Sequence, residues 1–154
     1  AVGALEKTTK SSRKTGAHFI IGLPGESEEY ILNQAKTISA LPLDTIKFHQ
    51  LQIIKGTAME KEYKNHPENF TFFELPEYID FFIRFVERLN PDFVLERFAG
   101  EVPPRFLSGP GWGLIRNDQI MVKFEKRLKE LDTWQGKFFE DTRQMYNDKS
   151  KFKI

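Results

Sequence analysis

The sequence predicts an α/β fold of parallel strands flanked by helices. Short apolar runs of strand length (17–21, 45–54 and 93–99) alternate with stretches whose apolar residues recur at three-to-four spacing. Each strand-to-strand connection is long enough to carry a helix, which is the signature of βαβ units. The Pro and Gly residues fall singly at turns, apart from the cluster from Pro103 to Gly113, so no linker divides the chain.

The first strand is Ala17-His18-Phe19-Ile20-Ile21, ended by Gly22; a mostly apolar run suits a buried parallel strand. In Leu23-Pro24-Gly25-Glu26 proline presets the second turn position and glycine accepts positive φ at the third, which predicts a type II turn. Ser27 is the expected N-cap of a helix that carries Glu28 and Glu29 at its positive end, buries Ile31, Leu32, Ala35 and Ile38, and stops near Leu41-Pro42. Thr45 to Ile54 reads as the second strand. Pro76 opens a helix with Leu75, Ile79, Phe82, Val86 and Leu89 on one face, closed by Asn90-Pro91. Phe93 to Ala99 is the third strand, and a last helix presents Ile120, Phe124, Leu128 and Leu131. Six of the 15 Phe fall between Phe70 and Phe85, which locates the core.

Composition narrows the function classes. With 154 residues the chain has room for one core, and 40% hydrophobic with 29% charged residues is globular rather than disordered. A net charge of +1 gives no bulk field for nucleic acid or lipid. The basic ends (Lys7, Lys10, Arg13 and Lys14; Lys149, Lys151 and Lys153) lack the aromatic interleaving of a single-strand binder, so nucleic acid is not an expected partner. No membrane span or signal-peptide core is visible, and the expected location is the cytoplasm. The absence of cysteine removes every thiolate metal site from this chain.

A complete (βα)8 barrel usually needs about 250 residues, and the residues before Ala17 read as a helix entering from an upstream strand. The expectation is therefore a fragment of a larger protein.

Ile20-Ile21-Gly22-Leu23-Pro24-Gly25-Glu26 resembles the fifth-strand motif of radical S-adenosylmethionine (radical SAM) enzymes. Lys47-Phe48-His49 with Leu51, then Lys55-Gly56-Thr57, resembles the sixth strand and exit loop of their Fe–S oxidoreductase subgroup, and Asp132-Thr133-Trp134-Gln135-Gly136-Lys137 resembles that subgroup's C-terminal signature. In the general motif a glycine stands at the position of His18, and its glutamate falls one residue before Glu26. The resemblance implies the C-terminal portion of a partial TIM-type (βα) barrel over residues 1–137, followed by a polar basic tail over 138–154. It implies a parent that binds SAM on a [4Fe–4S] cluster and generates a 5′-deoxyadenosyl radical. This chain supplies none of the cluster thiolates, so it is expected to hold no cofactor and to be catalytically silent alone.

Alternation places His18, Ile20 and Gly22 on one face of the first strand, and Lys47, His49, Leu51 and Ile53 on one face of the second. If Ile20 lies against adenine, as the resemblance implies, then Ile20, Gly22, Leu51 and Ile53 form the cofactor side, and His18, Lys47, His49 and Arg97 offer donors to an anionic or carbonyl-bearing substrate. No catalytic residue and no metal ligand is assigned. Expected partners are the missing N-terminal half and, through exposed strand edges, a second copy of the chain. Two other readings remain open: a self-contained α/β interaction module, and a half-barrel enzyme whose site needs only His18, Lys47, His49 and Glu96.

Overall fold

The computed structural model describes Gly3, Leu5, Lys7, Thr8 and residues 13–141. The basic residues Lys10, Lys149, Lys151 and Lys153, and most of the expected tail, lie outside the described residues. The four early residues are helical, and Leu5 packs against the main core.

Three strands, β1 (Gly16–Ile21), β2 (Thr45–Gln50) and β3 (Val94–Arg97), form one parallel sheet in the order β1-β2-β3. Between β1 and β2 the chain makes the type II turn, with Gly25 at φ +81° and the Glu26 amide donating to the Leu23 carbonyl at 3.0 Å. Helix α1 (Glu28–Ser39) follows, its first turn capped by the Ser27 hydroxyl, which accepts from the Tyr30 amide at 3.1 Å. Helix α3 (Leu75–Val86) begins with a capping box, the Glu77 carboxylate accepting from the Glu74 amide at 3.0 Å. Helix α4 (Asn117–Glu130) buries only Ile120 and Phe124. Among the described residues, no helix is long and apolar enough to cross a membrane.

Helix α2 (Ala58–Asn65), an element not expected from the sequence, starts where the Thr57 hydroxyl accepts from the Glu60 amide at 3.2 Å. None of its residues is fully buried, and its apolar stripe is short: Met59 and Tyr63, one turn apart, rest partly buried against Leu51, Ile53 and Phe70. Its start is fixed by polar contacts. The Glu60 carboxylate accepts from the Gly56 amide (2.7 Å), the Lys64 ammonium (2.8 Å) and the Ser108 hydroxyl (2.7 Å). Those donors, Lys64 first, hold its pKa down to about 2.

Three expectations on element limits are corrected. β2 stops at Gln50 rather than Ile54: the Leu51 amide still donates to the Ile21 carbonyl at 2.8 Å, but Ile53 and Ile54 then leave the sheet. They pair with the 103–113 loop, through the Ser108 amide to the Ile53 carbonyl (2.8 Å) and an antiparallel bridge between Ile54 and Leu107. β3 is shortened to four residues, with Phe98 and Ala99 wholly buried beyond it. Leu131, expected on the apolar face of the last helix, is an exposed C-cap.

The core lies on one side of the sheet only. Ala17, Phe19 and Ile21 of β1, and Ile46 and Phe48 of β2, face α1, α3 and α4. Phe82 is the hub, its ring within 5.1–5.9 Å of the rings of Phe48, Tyr78, Phe85, Phe98 and Phe124. The Tyr78 hydroxyl, fully buried, donates to the Phe98 carbonyl at 2.5 Å, which satisfies the one polar atom of this layer. A second, smaller cluster of Leu51, Ile53 and Phe70, with Met59, Tyr63 and Phe72, lies where the strands exit.

Candidate functional site

The candidate site is the opposite face of the sheet, which no helix covers among the described residues. Alternation brings His18 and Ile20 of β1 to this face beside Lys47 and His49 of β2, with His18 in register with Lys47 and Ile20 with His49. Ile20, a large aliphatic in mid-strand, is 52% exposed. The His18 and His49 rings lie diagonally across the two strands, centroids 6.0 Å apart.

β3 reaches this face through an irregularity. Thr45 pairs with Val94 and Ile46 with Leu95, but Lys47 pairs with Arg97, so Glu96 is an extra residue in the ladder. Without it, strict alternation from Leu95, which packs toward the helices, turns Arg97 to the core side as well. The bulge resets the alternation and sets Arg97 beside Lys47 and His49. The displaced Glu96 is used too: its carboxylate meets the Lys47 ammonium at 2.7 Å. Hydrogen bonds from Lys47 and Thr45 lower the Glu96 pKa.

His49 sits against the end of β3. A Cβ on Gly100 would lie 2.8 Å from His49 Nδ1 and 2.9 Å from Gln52 Oε1, so only glycine lets both side chains rest on that backbone. The Gln50 carboxamide clamps the same residue, accepting from the Gly100 amide at 2.7 Å and donating to its carbonyl at 3.2 Å. This extends the sheet past β3 by a side chain in place of a strand. Burial first, then the charges of Arg97, His18 and Lys47, lowers the His49 pKa below its usual value.

The expected site residues thus separate. His18, Ile20, Lys47, His49 and Arg97 share the open face, with Lys47 already ion-paired. Gly22 is at the exit of β1 at φ +85°, the nearest atom to a Cβ there being the Thr71 carbonyl oxygen at 3.7 Å. Leu51 lines a cavity of about 20 Å³ at the strand exits together with Ile21, Gln50, Gln52 and Trp112, room for a single water. Ile53 is wholly buried in the second cluster. Gln50, Gln52 and Gly100 were not singled out from sequence; the Ala-Gly pair closing the third apolar run was the available signal.

Trp134 is 56% exposed, its ring under the Lys137 ammonium at 5.0 Å. Its neighbours are the anchors: Gln135 donates to the carbonyls of Asn90 (2.8 Å) and Phe93 (3.0 Å), and the Gly136 amide donates to the Val86 carbonyl at 3.0 Å. These contacts fasten the turn between α3 and β3.

A family model described as the Radical_SAM C-terminal domain matches residues 43–130. The chain is similar to the uncharacterized protein YtqA of Bacillus subtilis, 28% identical over 139 residues, covering 90% of this chain and 42% of that protein. It is similar to MJ0486 of Methanocaldococcus jannaschii at 33% identity over 144 residues, with the same two coverages of 90% and 42%. The chain therefore spans well under half the length of these curated relatives. Among solved structures, Elp3 of Methanocaldococcus infernus with an N-terminal deletion is similar in fold, at a TM-score of 0.70 and 18% identity, over 87% of this chain and 31% of that one. With more than half of its residues matched by the family model, this chain belongs to the radical SAM C-terminal domain family.

Proposed function

We propose that this chain is the C-terminal part of a radical SAM Fe–S oxidoreductase, forming one side of a partial (βα) barrel that encloses cofactor and substrate. The observation that carries this reading is the two-sidedness of the sheet. Its helix-packed face is closed and aromatic, while the other presents Ile20, two imidazoles and Arg97 to solvent. An isolated domain seldom leaves such a face bare beside two unpaired strand edges. The missing N-terminal half is the natural cover, and a second copy of the chain is its substitute when that half is absent.

The residues fit the adenosine side of SAM. Ile20 offers an exposed apolar contact and Gly22 leaves open space at the strand exit, while Leu51 and Ile53, both buried in the second cluster, support that end of the sheet from within. They do not fit the [4Fe–4S] cluster, because the chain contains no cysteine. In this reading the cluster belongs to the rest of the parent, and the chain alone has no turnover. Bound SAM supplies radical hydrogen abstraction. The residues of this chain hold the adenosine, and His18, Lys47, His49 and Arg97 orient substrate on the neighbouring strands. A cytoplasmic location suits such an oxygen-sensitive centre.

The test is SAM affinity by calorimetry in the full-length parent. Gly22→Val forces a β-branched side chain into a φ of +85° and into the space at the strand exit, and a loss of about tenfold or more is expected. Unchanged affinity removes Gly22 from the cofactor site. A parent sequence with no three-cysteine motif upstream overturns the whole reading.

A further inference from the structure

We infer that Arg97, His18 and His49 form a subsite on the open sheet face for an oxyanion of the substrate, a phosphate or a carboxylate. The inference deepens the proposed function, on which it rests only for assigning the anion to a substrate.

Three charged side chains come together here, and two cancel. Lys47 is neutralised by Glu96 at 2.7 Å, so its ammonium is already satisfied. The Arg97 guanidinium has no hydrogen bond or ion pair among the described residues, although the bulge delivers it to the same face. A guanidinium presents a planar fork of donors matched to a carboxylate or phosphate, and its charge is never relieved by deprotonation. His49 stands beside it, held in the notch that Gly100 leaves open and pressed by the Arg97 charge. A neutral His49 donates one N–H to an anion, and an anion between Arg97 and the ring also removes the repulsion that disfavours the imidazolium. His18 closes the third side, its ring 6.0 Å from that of His49.

The same geometry argues against a cation. Two imidazoles at this spacing resemble half of a divalent metal site, but Arg97 lies next to them and the Glu96 carboxylate is already turned to Lys47. Positive charge between the rings adds to a repulsion already present, whereas an anion relieves it.

The chain carries its own internal control. It has three histidines, and the third, His66, lies beyond α2 beside Glu68, with Nδ1 at 3.3 Å from its carboxylate. Histidine ring resonances of the 154-residue chain can therefore be followed by NMR during titration with inorganic phosphate and, separately, sodium acetate, each against sodium chloride at matched ionic strength. The expected result is a saturable shift of His18 and His49 with one or both oxyanions, a raised His49 pKa, and no shift of His66. Which anion binds more tightly identifies the class. Arg97→Gln should weaken the binding about tenfold, as expected for losing one charge-assisted donor group, and Arg97→Lys should restore part of it. Equal shifts of all three histidines, an unaltered curve in Arg97→Gln, or saturation by zinc chloride in place of the oxyanions each overturns the subsite. In the full-length parent, Arg97→Gln should leave SAM affinity unchanged. A parallel loss of SAM affinity assigns the anion to the cofactor and overturns its assignment to substrate, whereas a parent that binds no SAM at all ends the proposed function without touching the titration.

Discussion

Neighbouring residues of β2 live in two environments. Ile46 and Phe48 have no solvent exposure and sit in an aromatic layer, while Lys47 and His49 between and after them stand on a polar surface shared with β1 and β3. The helix-packed face is held by shape: ring against ring around Phe82, with its one hydroxyl satisfied at Phe98. The open face is held by polar geometry: a bulge, a glycine notch, an amide clamp and one ion pair. The first face supplies stability, and the second has side chains whose chemistry the fold does not consume.

That contrast sets an order of expected effects. Phe82→Ala, at the hub of the packed face, should cost about 3–5 kcal/mol in urea unfolding. A cost under about 1 kcal/mol would mean that the rings around Phe82 are not one cooperative layer. Gln135→Ala leaves the Asn90 and Phe93 carbonyls without that donor and should cost about 1–3 kcal/mol. Here the exposed Trp134 is the control, since Trp134→Ala should cost less than its buried-side neighbour.

Smaller still is the pH dependence set by His49. Its folded pKa lies below the unfolded value of 6.5, so the unfolded chain takes up a proton first. The stability present above pH 6.5 should fall as pH drops from there through the folded pKa, and then level off. His49→Asn should flatten that decline while leaving stability at pH 8 nearly unchanged; an identical pH profile would remove His49 as its source. Least affected should be Ile20→Ser, within about 0.5 kcal/mol of the parent chain by the same unfolding measurement, because an exposed side chain forfeits little burial. A larger loss would show that another chain covers this face in solution, which light scattering at several concentrations would register as an associated species.

Much of the packed face was legible. The period-two pattern of 45–50 and the three-to-four spacing of 75–89 name the residues that meet in the core, because burial is read directly from apolar periodicity. The Leu23-Pro24-Gly25-Glu26 turn and the Ser27 cap were legible for a similar reason, as local steric and hydrogen-bonding preferences decide both. The open face was legible only in part. His18, Ile20, Lys47 and His49 follow from alternation, but Arg97 depends on the bulge at Glu96, and alternation alone turns it to the wrong side. Helix α2 was not legible because its apolar stripe is only Met59 and Tyr63, both partly buried, while polar caps hold its start. The end of β2 was missed because Ile53 and Ile54 find partners more than 50 residues away, at Leu107 and Ser108, instead of in the sheet.

By itself the sequence determined the class of the fold, the helix-facing residues of the first two strands, and the lack of any thiolate for an iron–sulfur cluster. These follow from local periodicity, turn chemistry and residue inventory, none of which needs a distant partner. The tertiary structure alone decided that a bulge at Glu96 is what brings Arg97 to the two histidines, that Glu96 neutralises Lys47, and that Gly100 makes room for His49. Each of these joins residues of different strands or loops, and such contacts are fixed by register and packing, which no single stretch of sequence records.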